Sequence, residues 1–179
     1  MTPSARSRHV SPDPEWENYF SPEAERAESL EALLGRVPAF AGLEPEELAT
    51  LVRQVHVRTF AHGEVVLRQG APRSGFYVIR RGSVHLIGED PGGVEITDTL
   101  VPPAIIGRFA LLDESPAPAT FIAAERSELV GFFRPDLMEI AATDPGLGCR
   151  ILLRLGEAMT AALNRDCASP SRSSISRGG

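Results

Sequence analysis

The chain has 179 residues, a formal net charge of −6 and 42% hydrophobic residues, which suits one domain with a substantial core. Its acidic balance provides no field to attract phosphate, so no nucleic-acid partner is expected. No run approaches the ~20 apolar residues of a membrane span, and no apolar segment follows Arg6, Arg8 and His9. No membrane association is therefore expected, and the default location is cytoplasmic. The two cysteines, Cys149 and Cys167, fall in one helical stretch, about 27 Å apart at ~1.5 Å per residue, too far to bridge.

Residues 1–20 are rich in Pro, Ser and Arg and read as a flexible arm. Within it Trp16, Tyr19 and Phe20 form an aromatic group that could dock on the body or on a partner. Ser21-Pro22 reads as the start of a helix that presents Leu30, Leu33 and Leu34 and stops at Gly35. A second helix begins at Pro45-Glu46-Glu47 and carries Leu48, Leu51, Val52 and Val55 at helical spacing.

From His56 the apolar period changes. Short β-rich runs follow at 55–60, 65–68, 76–81, 84–87, 94–100, 119–124 and 129–133, separated by glycine turns, with Pro91-Gly92-Gly93 marking one hairpin tip. Such spacing predicts a sandwich or a barrel. Helices return at 135–142 and, at greater length, from Leu147 to about Asp166. In that last helix Leu152, Leu155, Met159 and Ala162 step by three and four, and with Ile151 they form a candidate seam for a homodimer or for packing on the barrel. From Ala168 the composition is that of a tail.

Between the fifth and sixth of these strands lies Ile106-Gly107-Arg108-Phe109-Ala110-Leu111-Leu112, followed by an acidic, proline-broken loop. A glycine feeding a short helical turn presents free backbone N–H groups, a geometry that accepts anions.

Several motifs occur in one order. Phe40-x-x-Leu43 precedes Glu46-Glu47-Leu48. Phe60-x-x-Gly63-Glu64-Val65-Val66 precedes Gln69-Gly70, and Phe76-Tyr77-Val78-Ile79-x-x-Gly82-x-Val84-x-Leu86 follows. Gly107-x-Phe109-Ala110-Leu111-Leu112 and Pro116-x-x-Ala119-Thr120 complete the set. Together they resemble the cyclic-nucleotide-binding domain of catabolite-activator/FNR regulators and kinase regulatory subunits. The resemblance covers about Leu30 to Asp166. It implies a mainly β fold with flanking helices: a double-stranded β-helix (jelly-roll) barrel, N-terminal helices and a long C-terminal helix. The domain would run over 21–167, with the barrel at about 55–134, C-terminal helices at 135–166 and a disordered tail at 168–179.

The resemblance also assigns a phosphate-binding cassette to Gly107, Arg108, Phe109, Ala110, Ala117, Pro118, Ala119 and Thr120. In the family a glutamate after the cassette glycine accepts from the ribose hydroxyl, an arginine after the loop proline pairs with the cyclic phosphate, and backbone N–H groups complete the cradle. Here the glutamate position holds Arg108, which has donors and no acceptor. The arginine position holds Ala117, and Pro118 after it has no N–H. Losing two charge-assisted bonds costs roughly 3–6 kcal/mol, or about 10²- to 10⁴-fold in affinity. No cofactor is therefore expected, and cyclic nucleotide in the usual mode is not. Arg108 is either a surface cation paired with Asp113 or Glu114, or a new anion contact acting with Gly107 and Thr120.

His56, His62 and His85 lack the His-x-His spacing of a metal-binding barrel, and no nucleophile elbow or carboxylate pair is present, so neither a metal site nor an enzyme is expected. The family's DNA-binding output needs a helix-turn-helix after the long helix. The residues past Ala168 carry none, so regulation of transcription is expected only through a partner protein. The reading is a regulatory or scaffolding protein acting through protein contacts. The alternative is a small-molecule sensor holding a cyclic nucleotide or another anion in the barrel.

Overall fold

The structure, a computed structural model, describes residues 28–89, 93, 95–112 and 115–168. The aromatic arm, the Ser21 cap, the Pro91-Gly92 tip, Asp113, Glu114 and the tail lie outside the described residues.

Helix α1 (Leu30–Gly35) is capped by Ser29, whose Oγ accepts the Ala32 N–H at 3.1 Å. Helix α2 (Pro45–Val52) begins on proline, and the Glu47 carboxylate reaches back to the Glu44 N–H at 2.9 Å. Eight strands follow: β1 (His56–Phe60), β2 (Val65–Leu67), β3 (Gly75–Arg81), β4 (Val84–Glu89), β5 (Glu95–Leu100), β6 (Ile105–Ile106), β7 (Ala119–Ala123) and β8 (Ser127–Phe133). Seven match the expected runs to within about two residues. The eighth, β6, is a two-residue strand that pairs Ile105 with Val78 and Ile106 with Tyr77.

The strands form two antiparallel four-stranded sheets, ordered β1-β8-β3-β6 and β2-β7-β4-β5, which face each other as a jelly roll. Alternation sorts the side chains of β3. Tyr77 and Ile79 turn into the barrel, to a core that includes Phe60, Val84, Phe121 and Leu129. Phe76 and Val78 turn to the outer face, where the helices pack.

Helix α3 (Arg134–Thr143) starts directly at the end of β8, held by Asp136. Its buried carboxylate accepts the Phe133 N–H at 2.7 Å and lies 3.0 Å from Nε2 of His56. Helix α4 (Pro145–Ala168) starts where Asp144 Oδ1 accepts the Leu147 N–H at 2.9 Å. Leu147, Ile151 and Leu155 of α4 are buried with Phe40, Phe76 and Phe132 in the helix-side core. Phe40 meets Phe132 edge to face at 5.2 Å, a geometry that adds to burial worth about 1.5–3 kcal/mol per large side chain.

This packing divides the expected seam. Ile151 and Leu155 are 0% and 2% exposed and belong to their own domain, so they are not free to meet a second copy. Leu152, Leu153 and Leu163 face outward at 42%, 63% and 62% exposure, while Met159 and Ala162 are half-buried. The periodicity had merged two neighbouring faces of one helix. Among the described residues no helix is long and apolar enough to cross a membrane.

Candidate functional site

Gly107 ends β6 with φ +78°, and a Cβ there would sit 3.0 Å from the Gly75 carbonyl oxygen. Both facts require glycine, by backbone conformation and by space. The expected helical turn after it is instead a pair of tight turns: Ala110 N–H donates to Gly107 O at 2.8 Å, and Leu112 N–H to Phe109 O at 3.0 Å. Arg134 Nε donates to Leu111 O at 3.1 Å, which ties this segment to the start of α3.

Arg108 is exposed, and with Phe109 it lines a narrow cleft against Val37, Ile105, Leu155 and Ala158. It therefore borders the helix side of the barrel. It makes no hydrogen bond or ion pair with any described residue; Asp113 and Glu114, its expected partners, lie outside them.

The loop that should carry the phosphate contacts is sewn to the β2–β3 connection. Ala117 N–H donates to Ala71 O at 2.9 Å, and Ala117 O accepts from Gly70 N–H at 2.9 Å. Ser115 O accepts from Arg73 Nε at 2.8 Å. Thr120 Oγ1 accepts from Gln69 N–H at 3.1 Å. Ala117 is buried at 3% exposure, and Ala119, at 5%, pairs with Gly88 on β4. Along β7 the buried residues are Ala119, Phe121 and Ala123; Thr120 alternates with them and so lies on the outward register.

The polar groups of the eight residues assigned to the cassette do not converge. Arg108 lies to the helix side and Thr120 outward, while Ala117 has its backbone groups in use. The stitching by Gln69, Gly70, Ala71 and Arg73 carries no periodic signal that a sequence reading could detect.

The three histidines are engaged separately: His56 with Asp136, His62 Nδ1 with Ala124 O at 2.7 Å, and His85 Nδ1 with Thr99 Oγ1 at 3.1 Å. Among the described residues no three His, Cys, Asp or Glu side chains come together as a metal-binding group.

Residues 57–144 match the family described as the cyclic nucleotide-binding domain. The chain carries a cyclic nucleotide-binding domain of the catabolite-activator/FNR type. This domain is 32% identical over 126 residues to the cyclic AMP receptor protein of Thermus thermophilus, a match spanning 68% of this chain and 58% of that relative. It is 35% identical over 102 residues to the acetyltransferase Pat of Mycolicibacterium smegmatis, over 57% of this chain and 31% of that one. The chain therefore spans about half or less of the length of these relatives. Among solved structures, the N-terminal domain of a transcriptional regulator from Streptomyces coelicolor superposes with a TM-score of 0.66 at 27% identity. That match covers 79% of this chain and 99% of that domain. The cyclic nucleotide-binding domain thus occurs in relatives whose names assign them different outputs.

Proposed function

We propose that this chain is a non-catalytic, cytoplasmic regulatory protein whose cyclic nucleotide-binding domain does not hold cyclic AMP in the usual mode and which acts through protein contacts. The observation that carries the first half is the 115–120 loop. Its cation position is Ala117, whose N–H already serves Ala71, and the next residue, Pro118, has no N–H. A phosphate placed there would lose its charge partner and a donor together, and a buried anion without a cation is strongly disfavoured.

The exposed side of α4 supports the second half. Leu152 and Leu153 border a shallow groove with Gly156 and Thr160, a surface suited to a second copy or to another helix. Homodimerisation through that face is part of the proposal. The second reading, a sensor of cyclic nucleotide or another anion, draws support from the shared domain and from the name of the Thermus relative. The deciding experiment titrates cyclic AMP, cyclic GMP and cyclic dinucleotides by calorimetry. Heat of binding near background at millimolar ligand is the expected result, and saturable micromolar binding would sink the first reading.

A further inference from the structure

Arg150, Leu153, Arg154 and Glu157 step by three and four along α4, so they share one side of the helix. Together with Gly42 and Leu43, in the connection between α1 and α2, they line a groove of about 230 Å³. Pockets for small molecules begin at ~300 Å³, so this groove suits one or two side chains of a polypeptide better than a free ligand. Its apolar part is Leu43, which is buried, and Leu153, which stands 63% exposed. Its cationic part is only partly spent. Arg150 pairs with Glu47 through Nη2, and Arg154 donates from Nη1 to Glu157 Oε2 at 3.0 Å. Each guanidinium is about half exposed and uses one terminal nitrogen, so each retains donors for a further carboxylate. The Arg154–Glu157 pair is exposed at both ends, and an arriving carboxylate exchanges for it at little cost.

A segment of matching character lies upstream of Glu28, outside the described residues. Asp13, Glu15, Glu17, Glu23 and Glu25 follow one another there with no Lys or Arg between them, and Trp16, Tyr19 and Phe20 stand among them. The point where this segment joins the domain is fixed. Glu28 O accepts from Arg80 Nη2 at 3.1 Å, and the Glu28 carboxylate pairs with Arg36 at 3.3 Å. Arg80 is held in turn by Glu128 at 2.9 Å, on the outward register of β8 that Val130 and Phe132 share. The chain upstream of Glu28 therefore enters on the helix side, the side that carries α4. Trp16 stands 12 residues before Glu28. Such a stretch spans up to about 40 Å at ~3.3 Å per residue, enough to cross a domain with a radius of gyration of about 14 Å.

We infer that residues 13–20 of this chain fill the groove between the Gly42–Leu43 connection and α4, with an aromatic side chain against Leu43 and Leu153 and the neighbouring carboxylates against Arg150 and Arg154. Complementarity carries the choice of occupant: the segment joins aromatic and acidic residues, and the groove joins leucines to arginines with donors to spare. The inference goes beyond the regulatory reading and does not depend on it. It has a consequence for that reading, because Leu153 also borders the shallow groove of Leu152 and Gly156, so the docked segment narrows the face open to a partner.

Trp16 is the only tryptophan in the chain, so its fluorescence reports on this segment alone. The test is acrylamide quenching of the full chain, native and in guanidinium chloride. Native Trp16 should be quenched about threefold less than in the denatured chain, and hundredfold dilution should leave that protection unchanged. Leu153→Asp and Arg154→Glu, both at exposed positions, should each raise native quenching about twofold, while Ile96→Asp, exposed on the other sheet, should not. Native quenching equal to that of the denatured chain overturns the inference, as does protection unaltered by Leu153→Asp or by Arg154→Glu, or lost equally in Ile96→Asp. Protection lost on dilution also overturns it, by giving the groove to the same segment of a second copy.

Discussion

On the helix side of the barrel the large side chains serve packing, whereas the segment assigned to the cassette is held by backbone hydrogen bonds and carries, on the proposed reading, few side chains that would meet a nucleotide. Phe40, Phe76, Phe132, Ile151 and Leu155 close a core in which local propensity, strand alternation and helical spacing agree. At the segment the resemblance assigns to the cassette, Gly107 has a left-handed turn and the 115–120 loop is hydrogen-bonded to the β2–β3 connection, while on the reading proposed above Arg108, Ala117 and Pro118 leave out an acceptor, a cation and a donor. If that reading holds, the difference teaches that the residues that build this pocket and those that fill it with chemistry can be changed separately.

The largest expected effect comes from restoring the chemistry. Arg108→Glu with Ala117→Arg and Pro118→Ala should raise affinity for cyclic AMP by up to about 10²- to 10⁴-fold, equivalent to roughly 3–6 kcal/mol. Calorimetry decides: no gain would mean that the pocket shape, and not only its contacts, has departed from the family's.

The packed side is tested by Phe40→Ala, expected to cost about 3–5 kcal/mol in denaturant unfolding, with the midpoint lowered. A loss under about 1 kcal/mol would show that the helices contribute little to the barrel. For the same reason Leu155→Glu should unfold the domain.

Gly107→Ala probes the scaffold alone. The left-handed backbone costs about 1–2 kcal/mol for a residue with a Cβ, before the contact with Gly75 O is relieved. A stability equal to wild type would mean that the turn is not held as described.

The smallest effect on stability should come from Leu152→Ser with Leu153→Ser, within about 0.5 kcal/mol per site because both are exposed. Solution mass, measured by light scattering, is the informative readout there. A fall from dimer to monomer supports the α4 face as the seam, and an unchanged mass removes it.

The barrel was readable because glycine turns and period-two alternation mark strands such as β3 and β8 directly. Strand β6 escaped because two isoleucines between Pro102-Pro103 and Gly107 are too few to show a period. In α4, residues one apart, such as Ile151 and Leu152, fit the same three-and-four stepping, and only the packed core separates the buried face from the exposed one. The cassette positions were assigned from the resemblance, residue by residue. The turns after Gly107 and the stitching of Ala117 to Ala71 are backbone facts with no side-chain signature.

Strand β8 pairs with both β1 and β3, the first spanning His56–Gly131 and the last reaching Gly75–Phe133, so it is an inner strand of its sheet although it comes last in the sequence. During synthesis β1 and β3 leave the ribosome with the same missing neighbour, each exposing an unpaired edge. That sheet closes only after Phe133 has emerged. The nascent barrel therefore waits for about sixty residues of chain beyond β3's start, by the separation of the paired Gly75 and Phe133, before its two halves can be joined.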